Sequence, residues 1–199
     1  MEDRQKRGIR RGIRRPAGRS LLVVVLGVLL SLGAGLGTTA AASGDTTSAF
    51  TAAAEKTGLS KAQANGLQNR VDAEIARLGG EQIAPNKVRL AEGVTLTVVV
   101  PGETYVRDLS QPVGTLAACS YYYFCAYQGT YFSGSQINMY SCRSYSIPWT
   151  GNGSWDNNQS TGTRARMYNA SGGLIYTTPG ARSYDSVGSW TPVYSVRPC

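Results

Sequence analysis

All four cysteines of this chain, Cys119, Cys125, Cys142 and Cys199, fall within its last 81 residues. An even number of cysteines in so short a stretch reads as a fold stapled by two disulfides. Zinc ligation is the rival. It is disfavoured because the chain has no histidine and the cysteines lack the paired spacing of structural zinc sites. Four cysteines allow three connectivities, and sequence does not choose among them. The favoured pairing is Cys119 with Cys125, close in sequence and flanking an aromatic stretch. Cys142 with Cys199 would then tie the C-terminus back to the domain. On loop entropy the short bridge is worth about 2 kcal/mol and the long one about 4 kcal/mol, a large share of stability for a small domain.

Disulfides need an oxidising compartment, and the N-terminus supplies a route to one. Met1–Ser20 holds eight basic residues against Glu2 and Asp3, Leu21–Gly37 is apolar, and Thr38–Ala42 is made of small residues. These are the three parts of an export signal, cleaved here after Ala42. The apolar run carries four glycines and is short for a bilayer span. A secreted, extracellular protein with no membrane association after cleavage is expected. Charge follows the same division. The whole chain is +8, but residues 43–199 hold 12 Lys/Arg and 10 Asp/Glu. The basic excess therefore belongs mostly to the signal, and nothing argues for a nucleic-acid partner.

Residues 43–117 have no cysteine, no tryptophan and one tyrosine. Ser60-Lys-Ala-Gln63 is a capping box. Leu67, Val71, Ile75 and Leu78 mark one face of the helix it would start, and Gly79-Gly80 would stop it. A shorter helix is expected over Ser48–Lys56. Val88 and Leu90, then Val94, Leu96, Val98 and Val100, alternate about an Ala91-Glu92-Gly93 turn, the pattern of a hairpin. Val106–Ala118 reads as a linker. This small α+β region would be a pro-segment or accessory module.

Residues 118–199 are different. They hold 11 of the 12 tyrosines, all three tryptophans and only seven charged residues, with much Gly, Ser, Asn and Thr. Short strands are expected at Tyr121–Tyr127, at Arg164–Tyr168 and Leu174–Thr178 around Asn169–Gly173, and at Trp190–Val196. That spacing of strands and turns predicts an all-β sandwich.

Two motifs stand out. Tyr127-Gln-Gly-Thr-Tyr-Phe132-Ser-Gly134 sets two aromatics and a glycine at the spacing of a folded-over hairpin, in which the glycine takes a backbone conformation a side chain forbids. About twenty residues on, Trp155-Asp156-Asn157-Asn158-Gln159-Ser160-Thr161 places two Asx residues, two others and two hydroxyls together. With the Cys119–Cys125 stretch, Gly162-Thr163-Arg164-Ala165 and the closing Cys199, these residues resemble the secreted actinobacterial peptidase-inhibitor family typified by the streptomycete metalloproteinase inhibitor. The resemblance covers about two fifths of the chain. It implies a βγ-crystallin-like Greek-key sandwich built around Tyr127, Phe132 and Gly134, and inhibition of an extracellular protease, a metalloprotease or a subtilisin-like enzyme.

What the residues offer chemically is limited. Without histidine the usual general base is missing. The carboxylates of the β-region are Asp156 and Asp185, and nothing in their spacing pairs them, so an enzyme is not expected. Asp156, Asn157, Ser160 and Thr161 are the candidate ligands for a weak calcium ion, in the range of ~10⁻⁴ to 10⁻³ M. Turn-capping hydrogen bonds are the favoured role for the same groups, and no other cofactor is implied. The candidate inhibitory loop is Ser144–Ser154, with Pro148 and Trp149. A monomer acting on a protease through that disulfide-braced loop is the first expectation. The alternatives are a glycan- or cell-surface-binding or toxin-like module, and a purely structural secreted protein. Exposed tyrosines favour glycan binding, and a protruding rigid loop favours inhibition.

Overall fold

Ser60 begins the longer of the two α-helices among the described residues, as its sequence predicts. Its Oγ accepts from the Gln63 N–H at 3.2 Å, and the Gln63 Oε1 accepts from the Ser60 N–H at 3.1 Å. The computed structural model describes residues 41–199. The export signal expected over residues 1–42 lies outside them, apart from Ala41 and Ala42, which open the first helix. That helix, α1, spans Ala41–Lys56, and α2 spans Lys61–Leu78. So α1 begins well before the expected Ser48. Gly79, at φ 73°, ends α2 and donates its N–H to the Ile75 carbonyl at 2.8 Å. Among the described residues no helix is long and apolar enough to cross a membrane.

Among the described residues, eleven strands form two antiparallel sheets. The first sheet has seven strands in the order β1 (Glu81–Ala84), β2 (Lys87–Ala91), β3 (Val94–Thr97), β5 (Gln136–Met139), β4 (Tyr123–Tyr127), β7 (Asn152–Asn158) and β10 (Ser183–Ser189). The second has four, in the order β6 (Tyr145–Ser146), β11 (Ser195–Arg197), β8 (Arg166–Tyr168) and β9 (Leu174–Thr177). The hairpin about Ala91–Gly93 and the one about Asn169–Gly173 form as the sequence predicts. The expected strand over Trp190–Val196 is shorter. Trp190 begins a turn closed by the Val193 N–H on the Trp190 carbonyl at 2.9 Å, and only Ser195–Arg197 is extended.

The two regions that differ so sharply in composition share a sheet. Thr97 pairs with Gln136, Leu96 with Ile137 and Val94 with Met139, joining β3 to β5. The inner face of that sheet carries Leu96, Ile137, Met139, Phe124, Ala126 and Trp155. It belongs to one buried cluster with Leu67 and Val71 of α2 and with Met167, Trp190 and Val196 beside or within the second sheet. Arg77 of α2 also donates to the Pro148 carbonyl at 3.1 Å. Residues 43–117 thus supply three strands to the same sheet as the residues that follow, and both helices, through Ala54 of α1 and Leu67 and Val71 of α2, to the same core. Both disulfides form in the favoured pairing, Cys119–Cys125 and Cys142–Cys199, with Cα separations of 5.8 and 5.5 Å.

The expected linker is a strap laid on the outer face of the first sheet. Asn86, fully buried, holds it. The Asn86 amide donates to the Arg107 carbonyl at 2.7 Å and to the Val98 carbonyl at 3.0 Å, and its Oδ1 accepts from the Leu109 N–H at 3.3 Å. Lys87 donates to Asp108 at 2.6 Å. The Gly134 N–H donates to the Thr104 carbonyl at 2.8 Å. One edge of the strap therefore lies beside the Tyr127–Gly134 turn.

Candidate functional site

The Tyr127–Gly134 turn folds back on itself between β4 and β5. The Gln128 N–H donates to the Ser135 carbonyl and the Gly129 N–H to the Ser133 carbonyl, each at 2.9 Å. Gly134 sits at φ 76°, where an added Cβ would lie 3.0 Å from the Gln128 Cβ. Tyr127 and Phe132 meet edge to face at 5.3 Å. The support beneath the turn is Ser154 of β7, fully buried. Its Oγ accepts from the Phe132 N–H at 2.9 Å and donates to the Gly129 carbonyl at 2.7 Å.

β7 carries the centre of the site. A strand sends successive side chains to opposite faces, so Ser154, Asp156 and Asn158 face outward while Trp155 and Asn157 face the core. Asn157 is fully buried. Its amide donates to the Thr163 and Pro179 carbonyls at 2.9 and 3.2 Å, and its Oδ1 accepts from the Gln159 amide at 2.9 Å. Asp156 points the other way, and Ser160 and Thr161 are exposed beyond the strand end. The four candidate calcium ligands are therefore not gathered into one cage. Among the described residues no three acidic, cysteine or histidine side chains are placed to hold a metal.

Asp156 is half-buried, and its carboxylate makes no hydrogen bond or ion pair among the described residues. Burial raises its pKa above the usual carboxylate range. It opens onto a cleft of about 350 Å³ walled by Leu116 of the strap, by Tyr105 just before it, and by Tyr127, Tyr131 and Phe132 of the turn. The Tyr127 hydroxyl is also raised, by burial first and then by the negative charge of Asp156. Tyr184 of β10 stands directly across from Asp156 in the strand register, and its ring contacts Phe132 edge-on at 5.8 Å. At the far end of β7, the Tyr122 N–H donates to the Asn158 carbonyl at 2.8 Å. The Tyr121 ring there packs on Tyr122 at 4.0 Å and lies under the Arg182 guanidinium at 5.5 Å. The outer face thus runs from Tyr121 and Tyr122 through Asp156 and Tyr184 to Phe132 and Tyr131.

The backbone is bent to hold these rings. Among the described residues, the non-glycine positions with positive φ are Tyr122, Tyr131 and Phe132, at 77°, 54° and 62°. Each is costly for a side-chain-bearing residue, and such strain collects at functional sites. Tyr131 and Tyr184 are 62% and 69% exposed, which burial cannot explain.

The candidate inhibitory loop is arranged differently. Trp149 lies in the buried core cluster, 6% exposed, and Pro148 is half-buried with its carbonyl engaged by Arg77. Burial of so large a ring outweighs the loop-like composition around it, so the Ser144–Ser154 stretch does not present Pro148 and Trp149 to a partner. Sequence reasoning named Asp156, Tyr127 and Phe132 but not Tyr105, Tyr131, Tyr184 or Arg182. The signal that pointed toward them was the excess of tyrosine in a region with few charges. No family model matches the chain, and neither a curated protein nor a solved structure matches it.

Proposed function

We propose that this protein is an extracellular glycan-binding module that holds sugar rings on the outer face of its first sheet. The observation that carries this is the half-buried, unpartnered carboxylate of Asp156, set among exposed tyrosines. The C–H faces of a sugar ring are apolar and lie flat on aromatic rings, while its hydroxyls need acceptors. An ionised carboxylate is an acceptor with several lone-pair sites. A row of aromatics around one such group in a shallow cleft is suited to a polyhydroxylated ligand. The buried Trp149 weakens the alternative of protease inhibition, which asks for a projecting rigid segment.

The strand order supports a βγ-crystallin-like Greek-key architecture for this module. β4 and β5 form the folded hairpin, β6 crosses to the second sheet, and β7 returns beside β4. β8, β9, β10 and β11 repeat the scheme with β10 crossing to the first sheet, which interlocks the two halves. The two disulfides agree with an exported protein. Fold alone does not assign function, and the assignment rests on the site.

Co-sedimentation of the full, disulfide-bonded chain with insoluble cell-wall polysaccharides tests the proposal. Retention that Tyr184→Ala and Tyr131→Ala each reduce is expected. Failure to bind any polysaccharide, together with stoichiometric inhibition of thermolysin or subtilisin, would replace glycan binding with inhibition.

A further inference from the structure

Resting on the glycan-binding proposal, we infer that the cleft selects glycans with free amino groups, polymers of glucosamine type, over N-acetylated or neutral ones, the sugar ammonium seating against Asp156 beside Tyr127 and Phe132. Two observations lead there, and a third, the charge of the region, opposes it and confines any such preference to a local site.

The first is the state of Asp156. Its carboxylate is half-buried without a protein donor, so it has given up part of its water with no hydrogen bond from the protein in return. A neutral hydroxyl returns part of that loss. A charged donor returns more, because its own charge adds a direct Coulomb attraction to the carboxylate that is stronger at a partly buried site than in bulk water. The second is the wall. Aromatic faces attract cations through their quadrupole, and Asp156 shares its cleft with Tyr105, Tyr127, Tyr131 and Phe132, with the Tyr184 ring packed edge-on against Phe132. No lysine or arginine lines the cleft. Arg182, two residues before Tyr184, is engaged with the Tyr121 ring at 5.5 Å. It marks the end of the face where an ammonium would be repelled, which leaves the Phe132 end for the amine.

The third is global charge. Residues 119–199 carry five arginines against Asp156 and Asp185. Long-range electrostatics therefore repel a cationic polymer, and a preference for one would have to come from a local site.

The test is calorimetric titration of the full chain with glucosamine oligomers and with N-acetylglucosamine oligomers of equal length, below the pKa of the sugar amine. The free-amine oligomer is expected to bind about tenfold tighter. Asp156→Asn should bring that ratio to about one, and Asp185→Asn, altering the other carboxylate of the region, should leave it in place. Circular dichroism of both variants establishes that they fold. Equal binding of the two oligomers by the unaltered chain would overturn the selectivity and leave glycan binding standing. Binding of neither would overturn both. A ratio that survives Asp156→Asn would place the amine elsewhere and also overturn the inference.

Discussion

Tyr184 of β10 faces Asp156 of β7 across the first sheet, residue against residue in the strand register. One is 69% exposed and the other half-buried without a partner. The proposed glycan binding rests on this pair and on the aromatic turn beside it.

That relationship has a thermodynamic consequence at Asp156. Burial raises its pKa in the folded protein. Between the unfolded and folded values the native state binds more protons, so stability falls as pH rises through the carboxylate range. Asp156→Asn removes the penalty. The variant should melt higher than the parent at neutral pH, with no gain at pH values below the unfolded carboxylate pKa, while losing affinity for its glycan. Calorimetric melting across pH checks this. An equal or lower melting temperature for the variant at pH 7 would contradict it.

Asp108 should behave in the opposite sense. Burial alone would raise its pKa. Hydrogen bonds from Lys87 and Ser110 and the charge of Lys87 outweigh burial and lower it. A carboxylate held low contributes stability above its unfolded pKa and loses it as pH falls through the folded one. Acidification should loosen the strap, and the hydrogen-exchange protection factors of the Asp108 and Ala117 amides, which donate to Thr115 and Val106, should fall in acid once intrinsic exchange at each pH is divided out. Lys87→Met should abolish most of that pH dependence.

Ser154→Ala tests the support beneath the aromatic turn. It leaves the Phe132 N–H and the Gly129 carbonyl unpaired in a partly buried setting. A loss of about 2 kcal/mol in urea unfolding is expected. Glycan affinity should fall as well, because Phe132 and Tyr131 lose the anchor that keeps their backbone at positive φ.

Removing residues 43–117 should not leave a sound domain. The cut strips β3 from β5, uncovering an open edge and baring Ile137 and Met139 beside a missing Leu96. Residues 118–199 alone are expected to aggregate or to lose near-ultraviolet dichroism. A monomeric, cooperatively folded fragment would show that the helices and hairpin are dispensable, as a removable pro-segment requires.

Local features of the fold were legible in sequence because local chemistry decides them. The Ser60–Gln63 box, the Leu67–Val71 face and the turn at Gly93 carry their structures in a few neighbouring residues. Features set by distant partners were not. β10 reads Ser-Tyr-Asp-Ser-Val-Gly-Ser, with no apolar alternation, and is a strand because β7 pairs with it. β7 itself is rich in Asn and Asp, residues with poor strand propensity, and resembles a ligand loop until β4 and β10 flank it. The strap resembles a linker because its order comes from Asn86, more than twenty residues from Leu109. At the site, Asp156 was visible as a carboxylate near hydroxyls. Its lack of a partner and its aromatic walls exist only once β4, β7, β10 and the strap are assembled.

The most direct test of glycan binding is amide chemical-shift mapping of the labelled full chain during titration with a soluble glucosamine oligomer. Glycan binding at the outer face predicts saturable shifts at Tyr131, Phe132, Asp156 and Tyr184, with Ile147–Trp149 unmoved. Shifts confined to the Ser144–Ser154 stretch, or none at high oligomer concentration, would contradict it.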